Sequence, residues 1–426
     1  MCNRRVKGET MAQTVSLQQG MWFDETEIQL SFPDDWSVHL CDCPADSMTA
    51  MTREAVEAAF EKPIGTQKLR EMALGKKEVG ILFDDISRGT RLYEIVPYVL
   101  DELKQAGIKN EQIRFICSLG NHGAHTRIDF VKKLGIEAVE NYPVFNHNPY
   151  ENCTHLGTTS RNTEVHVNSE LMKCDLKIGL GCIVPHPFNG YGGGGKILFP
   201  GVTSSDTILG NHIVTGADLL GKGLNPVDGL GRFEENVMRE EMEEVCKMAG
   251  MDMVIDALVN ARCDTVDLVV GHPIKAHYEG VDRAKEIYAT EEMPGADVVV
   301  ANANFKASEA AIAALFGMKT LKAGGDLVVA THTPMGQITH YLIGGFGKFI
   351  GGKLWSADRG SMLKDVGRLI LYTPYRSKAD EDWFGGFGRP IWAKTWQEVS
   401  ELLAQNNHSG TKVNVFTDAT IQYFRS

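Results

Sequence analysis

Short runs of Val, Ile and Leu that break off at Gly, Asp, Asn or His recur along this chain, separated by segments of helical period. The clearest are Val79–Phe83, Ile113–Cys117, Leu176–Leu180, Val266–Val270, Val298–Ala301, Leu327–Ala330 and Leu369–Tyr372. Near-continuous apolar runs of this length belong to strands buried on both faces, which need helices on either side. The segments Arg91–Gln105, Arg127–Leu134, Phe233–Ala249 and Ser308–Phe316 are amphipathic enough to serve. The alternation predicts an α/β fold built on mostly parallel, doubly wound sheets flanked by helices. Ligands bind such sheets beyond the carboxyl ends of the strands, and Asp84–Arg88, Gly120–His125 and His186–Lys196 fall there.

A chain of 426 residues exceeds one ordinary core, so two domains with the active site in the cleft between them are expected. The segment Gly271–Pro294 reads as the crossing, after which the strand–helix rhythm restarts. This divides the chain into a cofactor-binding and catalytic domain, 1–280, and a domain, 281–410, that contributes substrate-site residues; the tail, 411–426, is expected to pack back on the first. The net charge of −12 disfavours a nucleic-acid partner, since backbone binding rests on clustered Lys and Arg. No run of about 18 apolar residues appears, and MCNRRVKGETMAQTVSLQQ lacks the apolar core of a signal segment. A cytoplasmic protein with a small-molecule ligand and no membrane is expected. Nine cysteines without CxxC…CxxC spacing read as reduced, structural thiols.

The segment Pro185-His186-Pro187-Phe188-Asn189-Gly190-Tyr191-Gly192-Gly193-Gly194-Gly195-Lys196 is the most informative. Consecutive glycines let backbone approach a ligand and offer N–H groups to an anion, while the lysine adds charge or a nucleophilic amine. Gly190 to Lys196 also satisfies the GxxxxGK part of a phosphate-binding loop, but Ile197 stands where Ser or Thr should ligate magnesium. A nucleotide- or phosphate-binding protein is the reading this loop offers by itself. His186 precedes Lys196 by ten residues and His212 follows it by sixteen.

PHPFNGYGGGGKILFPGV followed by Asn211-His212 resembles the nickel-pincer-nucleotide lactate racemase family, whose pattern is PH, a glycine-rich loop with Lys and PG, then His. Asp84-Asp85-Ile86-Ser87-Arg88 is similar to the family's DDxTR segment, and Gly120-Asn121-His122-Gly123-Ala124-His125-Thr126 to its GTHRxxT segment. The resemblance implies a cofactor, nickel pyridinium-3,5-bisthiocarboxylic acid mononucleotide, tethered to Lys196. It implies nickel ligation by His212, a catalytic pair in His122 and His186, and Arg88 as the substrate-site cation. Gly192, Gly193, Gly194 and Gly195 would line the cofactor, with Asp84 and Asp85 towards its ribose. Cofactor-assembly proteins are implied as partners.

The family's lactate-specific YQxxK segment is replaced by Phe305-Lys306-Ala307-Ser308-Glu309, and GTHRP by GNHGA, which removes an Arg and brings His125 near. Phe305, Lys306, Glu309 and His125 are therefore expected at the substrate. A carboxylate accepts several hydroxyl hydrogen bonds, so Glu309 favours a polyhydroxylated acid such as gluconate over lactate or another small 2-hydroxy acid. Inverting C2 of such an acid is easiest by hydride transfer with proton removal from the hydroxyl, a task suited to two histidines.

Overall fold

Val79–Asp84 is buried at every position, and so is Leu176–Cys182, as strands covered on both faces must be. The computed structural model describes residues 13–224, 229–358 and 360–425. Residues 1–12, on which the reading of a missing signal segment largely rests, lie outside the described residues. The chain begins with a hairpin of β1 (Gln13–Gln19) and β2 (Thr26–Phe32), then β3 (Ser37–Cys41). It continues through β4 (Val79–Asp84), β5 (Ile113–Ser118), β6 (Val144–Asn146), β7 (Leu176–Cys182), β8 (Met253–Val259) and β9 (Thr265–Gly271). The remaining sheet strands are β10 (Ala296–Asn302), β11 (Leu321–Ala330), β12 (Arg368–Tyr372), β13 (Ile391–Ala393) and β14 (Lys412–Phe416).

Two six-stranded sheets result, in the orders β9-β8-β7-β4-β5-β6 and β13-β12-β11-β10-β14-β3. Every pairing is parallel except β8 with β9. The protein is thus α/β with parallel-dominated sheets, and all seven expected strands form. Helices α1 (Val96–Gln105), α2 (Arg127–Leu134), α3 (Ser205–Gly221), α4 (Val237–Ala249), α5 (Lys275–Ile287) and α6 (Ala311–Gly317) lie between them. The helix expected from Arg91 starts at Val96, after a separate turn at Leu92–Glu94, with Pro97 in its first turn where a missing N–H costs nothing. The one expected from Phe233 starts at Val237, where Asn236 caps it by accepting the Arg239 N–H.

Strand membership does not follow the linear division. β3 and β14 both join the second sheet, and the β1–β2 hairpin packs Leu17, Leu30 and Phe32 against Val298, Val300 and Val328 of that sheet. The segment Gly271–Pro294 contains α5, packed on β8 and β9, rather than a bare crossing. The end of the chain does return: Tyr423 and Phe424 pair with Ala289 and Thr290, and the Tyr423 ring meets Tyr191 edge-on. Among the described residues no helix is long and apolar enough to cross a membrane.

Candidate active site

In the first sheet, β4 is the earliest strand, with β5 beside it on one edge and β7 on the other. The chain therefore reverses direction across the sheet at β4, and the loops after β4, β5 and β7 part to leave a crevice, the usual ligand site of doubly wound sheets. The loops after β10, β11 and β12 of the second sheet close the other side. Together they enclose a cavity of about 380 Å³. Asp84, Asp85, Arg88, His122, His186, Gly192, Gly193, Lys196, His212, Lys306 and Glu309 all line it.

The turn after β4 is held from below. Lys133 of α2 is buried; its ammonium pairs with Asp84 at 2.6 Å and donates to the carbonyls of Thr90 at 2.8 Å and Arg88 at 3.2 Å. Asp84 also accepts the Thr90 hydroxyl at 2.7 Å, and burial pushes its carboxyl up against the pull of Lys133. Trp22 donates its indole N–H to the Arg88 carbonyl at 3.2 Å. These contacts commit Asp84 to the turn that presents Arg88.

Asp85 accepts the Ser87 amide and hydroxyl and lies 2.5 Å from Nδ1 of His122. Burial raises its carboxyl, but His122, then His125 and Arg88, outweigh burial and hold it below the usual carboxylate range. A buried carboxylate on Nδ1 fixes the ring's orientation and leaves Nε2 towards the cavity. Nε2 of His122 is 3.7 Å from Glu309, whose other oxygen pairs with Arg88. That ion pair joins the two sheets' loops across 221 residues of sequence. It holds Glu309 below and Arg88 above their ordinary values, although burial opposes both.

Lys306 is fully buried and donates to the Pro185 carbonyl at 3.0 Å. Burial, then Arg88, pulls it down to about 8. Lys306 and Glu309 thus each make a contact from the second sheet to the first. Phe305 departs further from expectation: it packs against Gly89, whose amide donates to the Phe305 carbonyl, and it lies outside the cavity wall. His125 also sits behind the wall. Its Nε2 accepts the Ile86 amide at 3.3 Å and lies 3.9 Å from Asp85.

The glycine loop splits in the same way. Gly192 and Gly193 reach the cavity, whereas Gly194 and Gly195 face the interior. A Cβ on Gly194 would fall 2.5 Å from the His277 ring, and one on Gly195 2.5 Å from Sγ of Cys246. The Gly192 amide donates to Val184 and the Gly194 amide to Asp256 at 2.7 Å, so these donors serve the loop rather than an anion. The loop is pinned by buried Asp256 of β8, Arg239 of α4 and His277 of α5, which were not anticipated.

At the loop's end Lys196 is pulled well below its usual range, first by burial and then by Arg88 and Lys306, which favours a neutral amine. His212 sits on α3 one turn after Ile208, to whose carbonyl its Nδ1 donates at 2.9 Å. Burial lowers it to about 4, so a neutral imidazole turns Nε2 outward. His186 is likewise driven well below its usual range by burial and then by Lys196. The Phe188 ring lies between His186 and His212, 6.1 and 5.8 Å from them.

One residue on the wall was missed. His340, in the long loop after β11, lies edge-on to His122 at 5.3 Å, and its backbone bridges to His122. Its Nδ1 accepts the amides of Leu342 at 3.2 Å and Ile343 at 3.1 Å, which assigns the ring proton to Nε2. Only the pairing of two loops 218 positions apart in the chain places it there.

Residues 23–218 match the family described as the lactate racemase N-terminal domain. A lactate racemase of Thermoanaerobacterium thermosaccharolyticum is 27% identical over 290 residues, covering 67% of this chain and 66% of that protein. Over these stretches the chain is similar to lactate racemases. A second relative, a lactate racemase of Lactiplantibacillus plantarum, is 26% identical over 284 residues, covering 65% of each. The matched stretch spans just under two thirds of the length of these curated relatives. The fold agrees over nearly the whole chain. The lactate racemase apoprotein of T. thermosaccharolyticum superposes with a TM-score of 0.74 at 23% identity, covering 97% of this chain and 100% of that one. A Thermotoga maritima protein gives 0.60 at 14% identity, covering 84% and 98%. In this chain the motif residues converge at the switch point of the first sheet, and Lys306, Glu309 and His340 reach them from the second.

Proposed function

We propose that this protein is a cytoplasmic isomerase that inverts C2 of a 2-hydroxy acid, working with a nickel-pincer nucleotide loaded by cofactor-assembly proteins. The observation that carries the reading is the meeting of Lys196, His212, His122 and His186 on one cavity. The residues fit the cofactor. Lys196 is a buried amine with its charge disfavoured, as a tether requires, and His212 keeps Nε2 available for a metal. Among the described residues no cluster of three or more His, Cys, Asp or Glu could hold a metal, so His212 suits a site whose other donors come with the cofactor. Held there by Lys196 and His212, a nickel-pincer nucleotide would supply hydride-acceptor chemistry for C2.

The chain's own groups do the rest. Arg88 and Lys306 bring positive charge to the substrate carboxylate, which competes with Glu309 for Arg88. His122, oriented by Asp85, takes the hydroxyl proton of one stereoisomer, and His186 is its counterpart for the other; the His186 Nδ1 accepts the Phe188 amide at 3.2 Å and must release it to take a proton. His340 lies beside His122 on the same wall.

A sugar acid such as gluconate was favoured on the premise of an unpaired Glu309 carboxylate, and Arg88 supplies the missing partner. Lactate, the substrate in the relatives' names, is the second reading. Cofactor-loaded protein incubated with a panel of 2-hydroxy acids in heavy water tests the function by chiral chromatography and mass spectrometry. We expect C2 inversion with the original hydrogen retained; nickel-replete protein that inverts none of them refutes the proposal. His212→Ala should lose nickel, and a phosphate- or nucleotide-binding protein would take its ligand equally well without the metal.

A further inference from the structure

Charged and imidazole groups on the cavity wall come mostly from the first sheet's loops, Arg88, His122, His186, Lys196 and His212, whereas beyond Lys306, Glu309 and His340 the loops of the second contribute Ile312, Leu315, Ile338, Ile343, Leu363 and Trp383. Glu309, Ile312 and Leu315 recur at three-residue intervals through the turn and helix of 307–317, which places them along one face. The wall therefore passes directly from the carboxylate at His122 to branched aliphatic side chains. Leu315 and Ile343 pack against the core yet stay half-buried, as do Ile312 and Ile338, and all four border the cavity.

Of the charged groups on that wall, Lys306 donates to the Pro185 carbonyl and Glu309 pairs with Arg88, both at its polar margin, and the side chains that follow Glu309 on this face, Ile312 and Leu315, carry no acceptor. Polyol hydroxyls packed beyond Glu309 would lose their water without gaining acceptors, whereas an apolar substituent would displace water from apolar surface. A methyl group would reach little of the aliphatic surface that Ile312 and Leu315, three residues apart on one face, present to the cavity.

We propose that the substrate is a 2-hydroxy acid bearing a branched aliphatic or aromatic substituent larger than methyl. This rests on the proposed function and names its substrate class. The carboxylate and C2 hydroxyl lie at the Arg88, His122 and His186 end, with the substituent along Ile312 and Leu315.

The test measures kcat/KM for inversion of lactate, 2-hydroxy-4-methylpentanoate, 3-phenyllactate and gluconate by the cofactor-loaded enzyme, with calorimetric binding of the same acids. One or both apolar acids should exceed lactate and gluconate by at least about tenfold, the discrimination that buried methylenes afford. Leu315→Asn should shrink that ratio, whereas Leu315→Met should keep it. Preference for lactate or gluconate overturns the substrate class and leaves the function standing. If no acid is inverted, the isotherms separate the two failures: tighter binding of the apolar acids upholds the pocket's selectivity and refutes the isomerase, whereas equal or inverse binding refutes both.

Discussion

His122 meets a buried carboxylate on one ring nitrogen and the cavity on the other, and Asp85 was first taken for a ribose ligand. The two roles make different demands. A positioning residue holds the imidazole in the tautomer and orientation that proton transfer needs, and its loss costs about 10² to 10⁴ in rate. A ribose ligand would instead govern how much cofactor the protein retains. Asp85→Asn should fold normally, keep its nickel content and lose at least about a hundredfold in kcat per nickel. Reduced nickel with unchanged turnover per loaded site would return Asp85 to the nucleotide. The Ser87 amide and hydroxyl, both donating to Asp85, hold the carboxylate in place.

At the level of the element, the glycine loop owes its shape to what lies beneath it. β8 runs MVIDALV, buried throughout, and Asp256 is the one polar residue in that run. Its carboxyl, raised to about 7 chiefly by burial, accepts the Gly194 amide. The folded-state value lies above the ordinary one near 4, so the stabilising contribution is complete at acidic pH and declines as pH rises from about 4 through 7. The slope approaches about 1.4 kcal/mol per pH unit for one proton. Asp256→Asn keeps an acceptor for Gly194 without the ionisation. Urea unfolding at pH 5 and pH 8 should show the wild type losing more stability than the variant over that interval. Parallel pH profiles for the two proteins would show that Asp256 ionises as freely in the folded chain as in the unfolded one.

On the scale of the whole molecule, the Arg88–Glu309 pair ties the loops of the first sheet to those of the second, with side chains only 13% and 16% exposed. Removing one partner of a mostly buried pair strands the other and typically costs about 3 to 5 kcal/mol, whereas replacing both with apolar residues is often close to neutral. Arg88→Met and Glu309→Leu should each destabilise the protein to urea, and the double variant should recover most of the loss. Additive losses would mean that the pair is not coupled in solution. Nickel-loaded double variant should still lack activity, because the substrate carboxylate has lost its guanidinium.

The α/β class, seven of the strands and the loops that carry Arg88, His122, His186, Lys196 and His212 were legible in the sequence, because apolar runs and carboxyl-end polar clusters are local patterns. β8 and β14 escaped because Asp256 and Asn414 interrupt their apolar runs, and only the neighbours that bury those polar groups make them strands. For the same reason the sequence could name Lys306 and Glu309 without giving their partners. A side chain's chemistry is written in the chain, but whether a carboxylate is an open acceptor or half of an ion pair depends on which residue folding brings beside it. The tertiary structure alone decided that Glu309 meets Arg88, that His340 joins His122, and that Gly194 and Gly195 pack against His277 and Cys246 rather than a ligand.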